Sequence, residues 1–206
     1  MGKRDKLNWD IPSDFRVALV LIGGSFFIGG ILGCILGAFL DEAASGEISD
    51  FLTQYLALVS QEGVSPEFWS VVWEQLRFPL AAFLLGFTAL GVVGLPILFG
   101  VRGFLFTFSI GCFCRLLGYG GLLPALFLFA LPAFLWAPAL FIIGVHSFMG
   151  AGALFQRTFR DHRYPLPYTS SYFIRCGLGA LLLCLCIMLV YCVVPSLLSA
   201  AARAVL

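Results

Sequence analysis

Charge is scarce in this 206-residue chain. Asp, Glu, Lys and Arg together make up 11% of it, where a soluble domain carries roughly 25%. So little polar surface cannot cover a water-soluble particle. The long apolar runs hold no acidic residue at all. Proton-coupled and cation transporters usually keep a carboxylate within the membrane, so that class is weakened. Histidine occurs twice, and no His-Glu-x-x-His pattern is present. His146 and Ser147 are adjacent, and neighbours on a helix do not face each other, so they form no serine–histidine pair. His146 reads as a core or interface histidine. Neither a catalytic cluster, a metal site nor a cofactor is expected. Net charge is only +1, which gives no field for nucleic acid. A phosphate-cradling glycine loop is also missing, since the glycines sit inside apolar stretches.

The acidic segment 41–77 contains no cysteine, which excludes a disulfide framework there. The seven cysteines are Cys34, Cys112, Cys114, Cys176, Cys184, Cys186 and Cys192, all in apolar surroundings. Cys112/Cys114 and Cys184/Cys186 are two apart. On a helix that spacing turns the thiols about 200° from each other, so neither pair chelates an ion. They read as small packing residues.

What the chain has in abundance is apolar length. Hydrophobic residues are 61% of it, and mean hydropathy is +1.01. Runs of about 20 apolar residues are needed to cross the hydrocarbon layer. They predict an all-α, polytopic membrane helix bundle with about five spans, at about 15–40, 78–99, 103–119, 121–149 and 171–194. A basic tail, 1–14, precedes this single membrane domain (15–195), and 196–206 form a C-terminal tail. The apolar stretch after Lys3, Arg4 and Lys6 is longer than a signal-peptide core of roughly 7–15 residues and reads as an uncleaved first span. Region 94–121 also admits a re-entrant element in place of a full crossing.

Basic residues orient the spans. With the N-terminus in the cytoplasm, the inner segments hold Lys3, Arg4, Lys6, Arg16, Arg102, Arg157, Arg160, Arg163 and Arg175. The outer ones hold Arg77, Arg115 and Arg203. The outer loop, 41–77, is acidic and carries helical order. Ile48, Phe51, Leu52, Tyr55, Leu56 and Val59 recur on one helical face. Ser65-Pro66-Glu67 reads as the start of a second surface helix that leads into the second span, with Trp69 and Trp73 as interfacial belt residues. The loop either rests on the spanning helices or docks an extracytoplasmic partner. Its candidate docking residues are Glu47, Asp50, Phe51, Tyr55 and Glu62. Arg115 is expected to snorkel to the outer surface or to pair with an acidic residue of this loop.

Ser25, Gly29, Gly33 and Gly37 fall on one face of the first span. Small residues let helix backbones approach closely in lipid. The stripe therefore serves internal packing or, alternatively, a homo-oligomer seam.

An ordered set of small motifs runs through the middle of the chain. Gly94-Leu95-Pro96 is followed by Arg102-Gly103, then by a glycine-rich hairpin at 118–121, then by Leu131-Pro132 with Pro138 six residues on. In this order the chain resembles the stage II sporulation protein M family, most densely over about 78–155. Broader relatives carry a polar His/Glu pair near the Leu-Pro element, where this chain has Ala133, Phe134 and Trp136. The resemblance implies a non-enzymatic membrane scaffold that anchors two peptidoglycan-degrading partners, stage II sporulation proteins D and P. It further implies septal wall remodelling and forespore engulfment in a Gram-positive endospore former, at the sporulation septum of the mother cell. The alternative from the residues alone is a small oligomeric transporter or channel, with prolines 96, 124, 132 and 138 breaking helices around a path. An intramembrane enzyme is a third and weaker reading. Membrane lipid is a partner on every reading.

Overall fold

A computed structural model describes residues 13–39, 54, 67–116, 126–159 and 170–197. Within them five helices of 19 residues or more occur: α1 (Ser13–Ala38), α2 (Phe68–Gly86), α3 (Gly91–Leu116), α4 (Leu131–Phe159) and α5 (Ser170–Cys192). A π-helical turn, Leu126–Ala130, leads into α4. No strand occurs among the described residues. α1, α3, α4 and α5 are each long and apolar enough to cross a membrane. Their outward faces carry Val20, Phe27, Val93, Ile97, Ile174 and Met188, all well exposed. So large an uncovered apolar surface belongs in lipid. The chain is a multi-pass, all-helical membrane protein.

Contacts give the helix directions. Gly29 of α1 meets Gly100 of α3, Gly33 meets Phe104, and Gly37 meets Gly111, so α1 and α3 run parallel. Phe68 at the start of α2 packs on Tyr191 at the end of α5, and Gly86 at the end of α2 meets Ser147 of α4. α2 therefore traverses the same layer as its neighbours, over about 28 Å at 1.5 Å per residue. Trp136 of α4 lies beside Arg102 of α3, and Ala151 of α4 beside Gly91, so these two are antiparallel. Direction alternates from helix to helix through all five. α4 touches each of the other four and is the central element. Its Trp136, Ala139, Leu140, Ile143 and Val145 are buried, as expected for a helix apolar on every side.

Lipid tails are as apolar as the side chains, so burial alone gives little drive for helices to associate. Shape and a few polar contacts do that work. The α1–α3 seam is closest at Gly29 and Gly33, where an added Cβ would strike the Gly100 and Phe104 carbonyls. It relaxes at Gly37, where the nearest atoms would stand at an ordinary 3.6 Å. Thr107 of α3 donates its hydroxyl across the seam to the Gly30 carbonyl at 2.7 Å. Above it, Phe26, Phe141 and Phe99 join α1, α4 and α3, with ring centroids 5.5 and 5.4 Å apart. Phe26–Phe141 is edge-on and Phe99–Phe141 tilted, and aromatic pairs of this kind contribute about 0.5–1.5 kcal/mol each.

Several expected boundaries move. Segments 78–99 and 103–119 become α2, from Phe68, and α3, from Gly91. The break falls at Gly86–Gly91, where Phe87 and Thr88 turn back onto the Leu84 and Leu85 carbonyls. Sequence hydropathy stays high across that turn and dips at Arg102, so hydropathy alone puts the loop at the dip. Phe68, Trp69 and Trp73 do lead into the second span, as the first half of one continuous helix. Its N-cap is Glu67, in extended conformation, two residues later than Ser65. α4 continues ten residues past the expected end at 149. The π-turn lies just before Pro132, whose ring and missing N–H disturb the preceding turn of an α-helix. The hairpin at 118–121 and most of segment 41–66 lie outside the described residues.

Candidate functional site

Arg102 is the twelfth residue of α3 and lies well inside a spanning helix. A cation at that depth costs about 2.5–3.5 kcal/mol against an apolar residue. Two aromatic rings offset part of this. The guanidinium carbon sits 4.8 Å from the Phe78 ring of α2 and 4.1 Å from the Trp136 ring of α4. A cation over a ring face gains about 0.5–2 kcal/mol, more when water is excluded. The two rings engage the cation without supplying an acceptor for its N–H groups. Arg102 Nε is buried with no hydrogen-bond acceptor. Trp136, only 2% exposed, likewise keeps an unpartnered indole Nε1.

Both side chains line one cavity of about 420 Å³. Glu74, Gln75 and Arg77 of α2 add polar groups to it, and Ser109 stands about two turns beyond Arg102 on α3. Leu105, Phe106, Leu128, Phe129, Pro132, Ala133 and Val190 form apolar wall. All lining residues of α3 lie from Arg102 onward, and those of α4 lie in its first two turns. The cavity thus occupies the half of the bundle where α1 and α3 end. Cys186 Sγ lies 3.5 Å from the Pro132 carbonyl and 3.9 Å from Gln75 Oε1, closing one side.

This arrangement corrects two expectations. Arg102 is not an inner-loop residue, and Arg77 is not an outer-loop residue; both lie within helices. Glu74 is exposed yet lines the same cavity, so an acidic group stands at its edge without entering the core.

The other sequence candidates divide plainly. Gly29, Gly33 and Gly37 pack internally against α3, while the Ser25 hydroxyl returns to its own Leu21 carbonyl at 2.9 Å. Gly94 faces the Leu85 side chain, and Leu95 is fully buried. Pro96 and Pro138 lie inside α3 and α4. Gly103 abuts the Phe26 backbone, and Leu131-Pro132 open α4 beside the cavity. Glu47, Asp50, Phe51, Tyr55 and Glu62 lie outside the described residues. Arg115 is exposed and donates to the Ala38 carbonyl, capping the end of α1. His146 is a packed core residue. Its Nδ1–H donates to Ile142 O at 2.7 Å, and Nε2 accepts from Arg175 at 3.2 Å, an assignment that follows from the network. All seven cysteines are free, and Cys184 is exposed while Cys186 is buried, as opposite faces require.

Sequence reasoning missed Trp136, Phe78 and Glu74 as parts of a site. The available signal was a lone arginine in an apolar run that extends on both sides of it. Comparison with family models, curated proteins and solved structures gives no match.

Proposed function

We propose that the chain is a non-enzymatic membrane scaffold, of the kind stage II sporulation protein M represents, that holds peptidoglycan-degrading partners at one membrane face. One observation carries this reading. Arg102 and Pro132, from two separate motifs, line one cavity between α3 and α4. Arg102 stacks on Trp136, Gly103 admits Phe26, and Leu95 fills the core. An ordered set of weak motifs gains weight when its members join in one structural unit. The partners on this reading are stage II sporulation proteins D and P, and the place is the engulfing septum of the mother cell. Tethering in a membrane raises the effective concentration of partners confined to one surface.

Orientation belongs to the same proposal. Arg102 and Arg77 lie mid-helix and drop out; the basic residues left, outside the helices or within two turns of a helix end, stand at eight against two, still with the N-terminus inside. Segment 41–66 is then extracytoplasmic, on the side of the wall. Single cysteines at Ser45 and Thr158 in a cysteine-free background test this: only the first reacts with a membrane-impermeant reagent in intact cells. Labelling of the second alone reverses the orientation.

The functional test is gene deletion with rescue. The expected null mutant stalls at engulfment, and variants at Glu47, Asp50, Phe51, Tyr55 or Glu62 fail to restore it. A null mutant that engulfs normally removes the sporulation reading. A stalled mutant rescued by every loop variant keeps the function and moves partner contact into the helices. The cavity at Arg102 favours a second reading, a small transporter, which predicts solute flux in proteoliposomes without any partner.

A further inference from the structure

We propose that the cavity beside Arg102 binds a phosphate group carried by an amphiphile, with the phosphate on Arg102 and Trp136 and the apolar part along the walls. The inference does not depend on the scaffold reading. It starts from an imbalance of donors. Arg102 Nε and Trp136 Nε1 are both buried and both lack an acceptor. A buried unmade hydrogen bond costs about 1–3 kcal/mol, and more for a charged group. Two such donors, on two residues that line one cavity, mark a place where acceptor oxygens belong. Arg77 lines the same cavity against a single acidic residue, Glu74, so the side chains there sum to one positive charge. An anion fits that balance and a cation does not.

Guanidinium groups match phosphate and carboxylate oxygens with paired N–H donors. Phosphate is favoured by its source, since the layer around the bundle is built from phosphate esters. Size and lining give the rest of the ligand. A cavity of about 420 Å³ lies within the range of small-molecule sites, about 300–1,000 Å³. A bare phosphate would leave most of it empty. Leu105, Phe106 and Phe129 offer hydrocarbon and aromatic surface. Charged and N–H groups at Arg102 and Trp136 beside apolar wall at Leu105, Phe106 and Phe129 describe an amphiphile lying along α3.

The rings have a definite part in this. Phe78 and Trp136 hold the guanidinium in place, so little side-chain entropy remains to be lost when an anion arrives. Trp136 has a second part through its N–H, which a phenyl ring in the same place lacks.

The test uses the full chain, purified in a sugar-headed detergent that carries no phosphate. Three probes are titrated: dihexanoyl phosphatidylglycerol, dihexanoylglycerol and inorganic phosphate. Saturable binding of the first is expected, with the second and third at least tenfold weaker. Arg102→Gln should weaken the first probe at least tenfold. Trp136→Phe keeps a ring over the guanidinium while removing the N–H together with part of the indole, and should weaken it about fivefold. That variant preserves the test should Arg102→Gln fail to fold. Inorganic phosphate binding as tightly as the lipid would overturn the amphiphile and leave a free-anion site. Equal binding of dihexanoylglycerol would overturn the phosphate. Unchanged affinity in both variants would place any bound lipid elsewhere and overturn the site.

Discussion

Replacing Gly33 by alanine adds one carbon to the α1–α3 seam, and the structure gives its consequence. That Cβ would lie against the Phe104 carbonyl oxygen, 2.5 Å from Thr107 Oγ1 and 3.0 Å from the Phe104 carbonyl carbon. Carbon contacts settle at about 3.5–4.0 Å, so the helices must part by about an ångström. Overpacking of this kind costs ~1–3 kcal/mol. The same displacement breaks the Thr107–Gly30 hydrogen bond of 2.7 Å, which adds about 1 kcal/mol. Alanine in a helix gains about 1 kcal/mol over glycine, which masks part of the loss. Gly23→Ala on the same helix carries that gain with nothing within 4 Å of the new carbon. The difference between the two variants isolates the seam, at about 2–4 kcal/mol. For a chain of this size each kcal/mol moves Tm by about 2–4 °C, so the gap should be roughly 4–16 °C. Thermal unfolding of both proteins in one detergent measures it. Equal melting temperatures would refute the reasoning and turn the stripe toward lipid.

Three further outcomes follow from single contacts. Arg115→Met removes the donor to the Ala38 carbonyl, so amide exchange in the last turn of α1 should quicken about fivefold, corresponding to ~1 kcal/mol; unchanged exchange would remove the cap. In single-cysteine proteins, Cys184 should react with N-ethylmaleimide at least tenfold faster than Cys186, which is fully buried, and equal rates would contradict the placement of α5. Arg175→Ala leaves the buried His146 Nε2 without its donor and should lower stability by about 1–3 kcal/mol, partly restored by Arg175→Lys; a neutral result would show that the contact contributes nothing.

Hydropathy made the class, the helical content and the small-residue stripe legible, because each depends on residue type at a regular spacing. Gly29 and Gly33 mark a close approach whichever helix approaches them, and the sequence could not say that the neighbour is α3. The turn at Gly86–Gly91 stayed hidden for a different reason. Its residues are as apolar as the helices beside it, and only the backbone turn at Phe87 and Thr88 reveals it. Arg102 then drew the boundary to itself, since a charge in an apolar run ordinarily marks the membrane surface. Its actual place depends on Phe78 and Trp136, which come from two other helices and lie 24 and 34 positions away in the chain. No local pattern encodes such a meeting. Trp136 was noticed only as a departure from a polar pair, while its value lies in offering both a ring and an N–H.

The parallel pairing of α1 with α3 also sets a timetable for assembly. The Thr107–Gly30 and Arg115–Ala38 contacts each join residues 77 positions apart. At a synthesis rate of about 5–20 residues per second, Gly30 is made roughly 4–15 s before Thr107. During that interval α1 stands in the bilayer with its glycine face open, after α2 has emerged and before its true neighbour exists. Helix α2 makes no substantial contact with α1 in the finished bundle, so it cannot cover that face meanwhile. A chain released from the ribosome before Thr107 carries an open glycine groove. On a crowded polysome the first α3 to reach it can come from the next chain, which would exchange α1 between two copies.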